Sequence, residues 1–350
     1  MLMPLGKEWE MNKYNYIESG LRMNLNEHPL SPLELLNKSI DLEQMRLNRY
    51  IKQEDGPLIK ALASYNKIAE SCIVCGNGAD EIISNLVDCF CTERILIIEP
   101  TFGVYKHYAK LKNKEIYLLK LNEDFSLPED KIIKIANDKK IDLVIICNPN
   151  NPTGNLFCAD KIIKILKNTN SYVLLDEAYF EFAKKSLVDD IANYNNLLIV
   201  RTLSKAFALA GLRVGYCMSN KDNIKKIRNS QMPFNISNFS QFIATAALAE
   251  KKTFLDYVKN ITFERDKLIE KLKELNLLVY PSATNFILVD FGNISKMIYQ
   301  ELQKRDIHIR LSDFNTNNMK NTLRISVGLP KENDQFIKEL TEIIEGMPNE

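Results

Sequence analysis

The sequence predicts an α/β protein: a mostly parallel, seven-stranded sheet between helices, followed by a smaller α+β domain. Three observations carry this reading. Between residues 73 and 218 short apolar runs alternate with helix-period segments, the pattern of a parallel sheet covered on both faces. After about residue 245 a long charged helical stretch replaces that alternation, and shorter strand and helix patterns follow it. A chain of 350 residues is long for one core and short for three domains, so one large and one small domain are expected. The large domain is placed at 41–245 and the small one at 1–40 and 246–350, with the first forty residues folding back towards the end of the chain.

The elements follow in order. Strands are predicted over 73–75, 94–98, 115–119, 142–147, 172–175, 197–200 and 214–218, because each is a short apolar run rich in Ile, Val and Leu. Helices are predicted between them over 79–91, 102–112, 128–137 and 160–167, where apolar residues recur at helical spacing. The charged stretch 242–273 reads as one long helix. Beyond it, strands are expected at 277–280, 286–289, 307–310 and 322–327, and helices at 295–305 and 331–346.

Composition narrows the function class. Lys plus Arg is 46 and Asp plus Glu is 45, a net charge of +1, which gives no reason to expect nucleic acid or an anionic membrane as a partner. The start, MLMPLGKEWEMNKYNY, has no apolar core of a signal peptide, and no stretch has the length of a membrane span. The seven cysteines lie mostly in apolar runs, as reduced buried thiols of a cytoplasmic protein would. Cys72 and Cys75 have C-x-x-C spacing without a second pair, and His28, His107 and His308 are far apart, so no metal is expected.

A parallel sheet presents ligand sites at the carboxyl ends of its strands. Four segments fall on that rim. Arg201-Thr202-Leu203-Ser204-Lys205, with Arg213 eight residues beyond the lysine, supplies two hydroxyls and a guanidinium suited to a phosphate, and an amine able to form an imine. Taken alone, it is equally a polar turn with a solvated lysine. Asp176 directly ends an apolar strand, which is costly unless the acid is paired. A protonated pyridine nitrogen is one partner, and a helix cap is the ordinary alternative. Asn148-Pro149-Asn150-Asn151-Pro152-Thr153-Gly154 makes a rigid turn in which an asparagine can donate to a phenolate oxygen. Gly76-Asn77-Gly78-Ala79-Asp80-Glu81 opens a helix, whose first amides can hold an anion.

Together the four meet the needs of pyridoxal 5′-phosphate (PLP). With Asn26-Glu27-His28-Pro29, Asn48-Arg49-Tyr50, Pro100-Thr101-Phe102, Asp176-Glu177-Ala178-Tyr179, the 201–216 segment RTLSKAFALAGLRVGY and Leu323-Arg324-Ile325-Ser326-Val327-Gly328, the chain resembles the fold-type I PLP-dependent enzymes, and among them the histidinol-phosphate aminotransferase family, over nearly its whole length. The resemblance implies roles. Lys205 is the Schiff-base lysine and proton shuttle, and Asp176 pairs with the ring nitrogen. Asn151 and Tyr179 hold the ring hydroxyl. The amides of Ala79 and Asp80, with Thr202, Ser204 and Arg213, bind the phosphate. Phe102 stacks on the ring, although an aromatic on this helix is also ordinary core packing. Tyr50 reaches the phosphate of a neighbouring subunit, implying a homodimer with shared active sites. Arg324, Asn285 and Glu27 bind the substrate, with Arg310 a further arginine that a surface ion pair would explain equally.

The implied activity is transfer of an amino group between glutamate or 2-oxoglutarate and a small phosphorylated amino or keto compound of the histidinol phosphate kind. Two alternatives stay open: decarboxylation of a phosphorylated amino acid, and transamination of a smaller three-carbon phosphate. The departures from the family pattern all fall on substrate recognition: Tyr14 to Arg22 lacks the usual Pro-Tyr, Ile51 stands where a proline is usual, and Gln335 lies near the place of an expected arginine.

Overall fold

The computed structural model describes residues 19–36, 47–51, 56–312 and 319–347. The expectations for residues 1–18 and for a boundary between residues 40 and 41 lie outside them. In chain order the elements are β1 (Leu21–Arg22), α1 (Pro32–Leu36), α2 (Pro57–Asn66), β2 (Ile73–Asn77), α3 (Gly78–Phe90), β3 (Arg94–Glu99), α4 (Val104–Leu111), β4 (Glu115–Lys120), α5 (Glu129–Asp138), β5 (Leu143–Cys147), α6 (Ala159–Asn168), β6 (Tyr172–Asp176), α7 (Phe180–Ala183), β7 (Leu197–Thr202) and β8 (Val214–Met218). They continue with α8 (Lys221–Ser230), α9 (Asn238–Ala249), α10 (Lys251–Glu274), β9 (Leu278–Val279), β10 (Phe286–Asp290), α11 (Ser295–Lys304), β11 (Ile307–His308), β12 (Arg310–Leu311), β13 (Thr322–Ser326) and α12 (Pro330–Glu345).

The central sheet has seven strands in the order β2-β8-β7-β6-β5-β3-β4. Strands β3 to β7 run parallel, and β8 lies antiparallel between β7 and β2. The sequence explains the layers. β5 is apolar throughout and β7 as far as Val200, and both are buried on both faces; α6 turns Ile162, Ile165 and Leu166 inward with Asp160 in its first turn and Lys167 in its last. One apolar layer contains Val173, Leu175, Leu197 and Ile199, and the other contains Cys147, Leu174, Leu198, Val200 and Tyr105. These strand residues are under 5% exposed, and each buried aliphatic side chain contributes roughly 1.5–3 kcal/mol. The strand ends therefore have little freedom to move.

A second sheet, β12-β13-β10-β9, is antiparallel, and β1 pairs in parallel with β11. Three details depart from the sequence reading. The stretch 242–273 is two helices, because the chain turns at Glu250 (φ −94°, ψ 22°) although the apolar spacing runs through the turn. The run 307–310 divides between two sheets, since Ile307 and His308 pair with β1 while Arg310 and Leu311 pair with β13. Helices α1, α2, α7 and α8 lie outside the spans that the apolar spacing predicts. α8 buries only Asn223, Ile224 and Ile227, too thin a stripe to read. Its signature is the cap, where Asn220 Oδ1 accepts from the amides of Asp222 and Asn223 at 3.0 Å. Among the described residues no helix is long and apolar enough to cross a membrane.

Candidate active site

The antiparallel turn of β8 gathers the site. β2, β3, β5, β6 and β7 all end on one edge of the central sheet, and β8 begins there. The connection between β7 and β8 holds Ser204, Lys205 and Arg213 on that edge. The Lys205 Nζ donates to the Leu25 carbonyl at 3.0 Å. Burial, and then the positive charge of Arg324, push its ammonium down to about 8, against the opposing charges of Glu27 and Asp80.

Asp176 ends β6, 3% exposed. Tyr105 donates to its Oδ2 at 2.6 Å and the Ala178 amide to its Oδ1 at 2.9 Å. Burial raises this acid to about 6, with those two bonds opposing the rise. Asp176 does not cap the helix that follows, α7, whose N-cap is Tyr179; one of its oxygens accepts instead from the turn after the strand. Tyr105 was not read from the sequence as a site residue. Its place in the first turn of α4, three residues after Phe102, is the available signal. Phe102 is partly buried and meets Tyr105 edge-on, with ring centroids 5.7 Å apart.

The phosphate-type elements form a cup. Gly78 opens α3 with φ +79°, and a side chain there would meet the Arg213 Nη2 at 2.6 Å, so this position needs a glycine. Arg213 bonds the Asp80 carboxylate at 2.6 Å. Thr202 donates to Ser204 Oγ at 2.9 Å, and the Ser204 amide donates back to Thr202 Oγ1 at 3.1 Å. Ala79 and Asp80 are the next residues of α3 after Gly78, so the first amides of that helix lie beside the guanidinium.

Across from the cup stands Arg324 on β13. Its Nη1 donates to Asn151 Oδ1 and its Nη2 to the Asn24 carbonyl, both at 2.6 Å. Arg310 lies directly opposite it in strand register, and Gln335 is exposed on α12. Asn285, wholly buried, donates to the Asn26 carbonyl at 3.1 Å, while its Oδ1 has no hydrogen-bond partner among the described residues. Asn26, at φ 53°, donates to the Tyr179 hydroxyl at 3.0 Å. Burial raises the Tyr179 phenol, partly offset by Arg324 and by the Asn26 bond. Residues 24–26 therefore form a strap touching Lys205, Tyr179 and Arg324. The Asn26-Glu27 motif marked this strap, but Asn24 and Leu25 act through carbonyls, which sequence does not display. Glu27 faces Arg22 at 3.8 Å. Tyr50 stands apart: it is 81% exposed and stacks on Phe234, ring centroids 4.4 Å apart.

The donor set fits pyridoxal phosphate. An amine and a buried acid stand on one edge of the sheet, a glycine-opened helix start with two hydroxyls and a guanidinium suits a phosphate, and a second guanidinium suits a substrate anion.

Known proteins are similar to this chain over most of its length. The family model for aminotransferases of class I and II matches residues 20–340. The histidinol-phosphate aminotransferase of Clostridium kluyveri is 36% identical over 316 residues, covering 89% of this chain and 88% of that protein. The one from Thermoanaerobacter pseudethanolicus is 36% identical over 349 residues, covering 97% and 96%. The solved histidinol-phosphate aminotransferase of Clostridium acetobutylicum superposes with a TM-score of 0.86 at 32% identity, covering 93% of this chain and 99% of that one. The chain belongs to the aminotransferases of class I and II; it is an aminotransferase of the fold-type I architecture, and its cofactor is pyridoxal 5′-phosphate.

Proposed function

We propose that this aminotransferase moves an amino group between glutamate or 2-oxoglutarate and a small phosphorylated substrate of the histidinol phosphate kind. The observation that carries the reading is the pairing of Lys205 and Asp176 on one sheet edge with Arg324 facing them from another sheet. The curated relatives named above, all histidinol-phosphate aminotransferases, support the substrate class.

When bound, pyridoxal phosphate supplies an aldehyde that takes the amino group and a ring that withdraws electrons from the substrate carbon. The chain's residues do the rest. Asp176 holds the ring nitrogen, and its buried position keeps water from that contact. Asn151 and Tyr179 hold the ring hydroxyl, Phe102 covers the ring face, and Thr202, Ser204, Arg213 and the amides of Ala79 and Asp80 hold the phosphate. Lys205 would hold the cofactor's aldehyde and, once the substrate's amine has displaced it, would be free to move a proton at the substrate carbon; its lowered pKa leaves a larger fraction of that amine neutral near pH 8 than an ordinary lysine has. Arg324 takes a substrate carboxylate or phosphate by two parallel bonds, with Asn285 and Glu27 at its flank. An incoming anion competes with the Asn24 carbonyl for Arg324.

Tyr50 serves the phosphate of a second copy, so the working unit is a homodimer with shared active sites. Its exposed stack on Phe234, with Met232 74% exposed nearby in sequence, supplies apolar surface for that contact. The division into a large domain at 41–245 and a small one at 1–40 and 246–350, and a cytoplasmic location, belong to the same reading. The test is direct. Glutamate alone should convert the cofactor from its aldehyde to its amine form, read as a loss of visible absorbance, and histidinol phosphate should lead a panel of phosphorylated amino donors with 2-oxoglutarate. Release of CO₂ from a phosphorylated amino acid, without that conversion, would sink the reading.

A further inference from the structure

Two of the motifs that mark the site contain a charged residue with no role in it. Glu177 follows Asp176, and Arg201 precedes Thr202. Side chains alternate between the faces of a sheet. The apolar layers show which face each residue takes: Val173 and Leu175 share a layer with Leu197 and Ile199, whereas Leu174 shares one with Leu198, Val200 and Tyr105. Asp176, bonded to Tyr105, lies on the second face, and Glu177 and Arg201 lie behind it on the first.

There the two meet. Arg201 donates from Nε at 2.9 Å and from Nη2 at 2.8 Å to the same Glu177 oxygen. It also donates to Asn66 Oδ1 at 2.7 Å and to Ser186 Oγ at 2.6 Å, and its guanidinium lies 3.5 Å from the centre of the Phe180 ring. Glu177 accepts in addition from Ser186 and from the Leu187 amide. A second buried acid, Glu181, accepts from Tyr65 at 3.2 Å. Arg201 and Glu177 are 2% and 1% exposed. A buried ion pair is a poor way to add stability, because desolvation consumes most of the attraction; what it does add is a defined geometry. The backbone ladder between β6 and β7 stops at Asp176 opposite Val200, closed by the Glu177 amide on the Val200 carbonyl at 2.8 Å. Beyond that point the Glu177–Arg201 pair is what ties the two strand ends together, one residue from Asp176 and four from Lys205.

We propose that Arg201 and Glu177 are positioning residues: their ion pair on the rear face of the sheet holds the ends of β6 and β7 so that Asp176 and Lys205 keep a fixed separation across the cofactor ring. The inference rests on the proposed roles of Asp176 and Lys205.

The test uses the full-length PLP-loaded protein. The paired replacement of Glu177→Leu with Arg201→Met removes both charges and keeps the volume, so the fold should survive. The single change Glu177→Gln, which keeps shape and an acceptor, is made alongside. Thermal unfolding, PLP affinity of the apo-protein, the pH midpoint of the visible cofactor absorbance without substrate, and kcat and KM are measured on each. The expected result is a paired variant that melts near the starting protein, yet shows a shifted absorbance midpoint, weaker PLP binding and kcat lowered about tenfold or more with KM little changed; Glu177→Gln should recover most of that loss. Unchanged midpoint and kcat in the paired variant would overturn the proposal. Should the paired variant not fold, Arg201→Lys, which keeps the charge and loses the forked contact, decides alone: a moved midpoint supports positioning, an unmoved one overturns it. A starting protein that binds no PLP would instead count against the functional reading itself.

Discussion

Lys205, Asp176, Asn151 and Thr202 stand at the ends of strands of one sheet, each following a short apolar run that is buried on both faces. The substrate side is assembled otherwise. Arg324 comes from a different sheet, its carbonyl partner at Asn24 is 300 residues away in sequence, and its side-chain partner Asn151 is 173 residues away. The proposed cofactor half is thus held by a close-packed scaffold that tolerates little displacement, whereas the proposed substrate half is closed by residues 24–26, whose carbonyls a ligand would replace. Changes on the first side should act on kcat, and changes on the second on KM.

The largest expected effect tests the first side. Lys205→Ala should lower kcat by about 10³-fold or more, as expected when a positioned proton carrier is lost, and the visible absorbance of the loaded protein should change with it; a variant turning over at the original rate would break the scheme. Asp176→Asn comes next, with kcat expected to fall about 100-fold while KM for glutamate moves little. Arg324→Lys sharpens the contrast from the other side. It replaces a two-pronged contact with a point charge and should raise KM about 10- to 100-fold, measured by initial rates with each substrate. Equal effects of Asp176→Asn and Arg324→Lys on KM would erase the distinction.

The smallest effects concern protons. Tyr105→Phe removes one bond to the Asp176 carboxylate, which should let that acid rise further and cost up to about tenfold in kcat. In the apo-protein the same acid is raised to about 6 from 3.8. Its folded form holds the proton more tightly than the unfolded one, so stability falls as pH rises across that interval. Lys205, lowered to about 8 from 10.5, works the opposite way, and the penalty of its buried ammonium is present below pH 8 and fades towards 10.5. Apo Asp176→Asn should therefore melt higher than the apo starting protein above pH 6, and apo Lys205→Met higher below pH 8. Bound cofactor should cancel the first difference by giving the carboxylate a cation.

Read residue by residue, the sequence pointed to the proposed cofactor side because the chemistry of those residues is local. A polar residue at the end of an apolar strand is conspicuous, and Asp176, Asn151 and Lys205 all stand in such places. It missed Tyr105, whose hydroxyl is indistinguishable in sequence from a core tyrosine, and it left Glu177 and Arg201 unassigned beside residues it did assign. The turn at Glu250 and the division of 307–310 escaped because apolar spacing reports burial and does not report which partner does the burying.

Sequence by itself determined the alternating strands and helices, the strand-end motifs and their chemistry, since backbone propensity, apolar period and residue type act over a few neighbours. Tertiary structure alone decided that β8 turns back to bring Lys205 and Arg213 to the shared edge, that Arg324 and residues 24–26 close over Lys205, and that Arg201 lies behind Asp176. Each of these depends on contacts between distant parts of the chain, and only packing selects them.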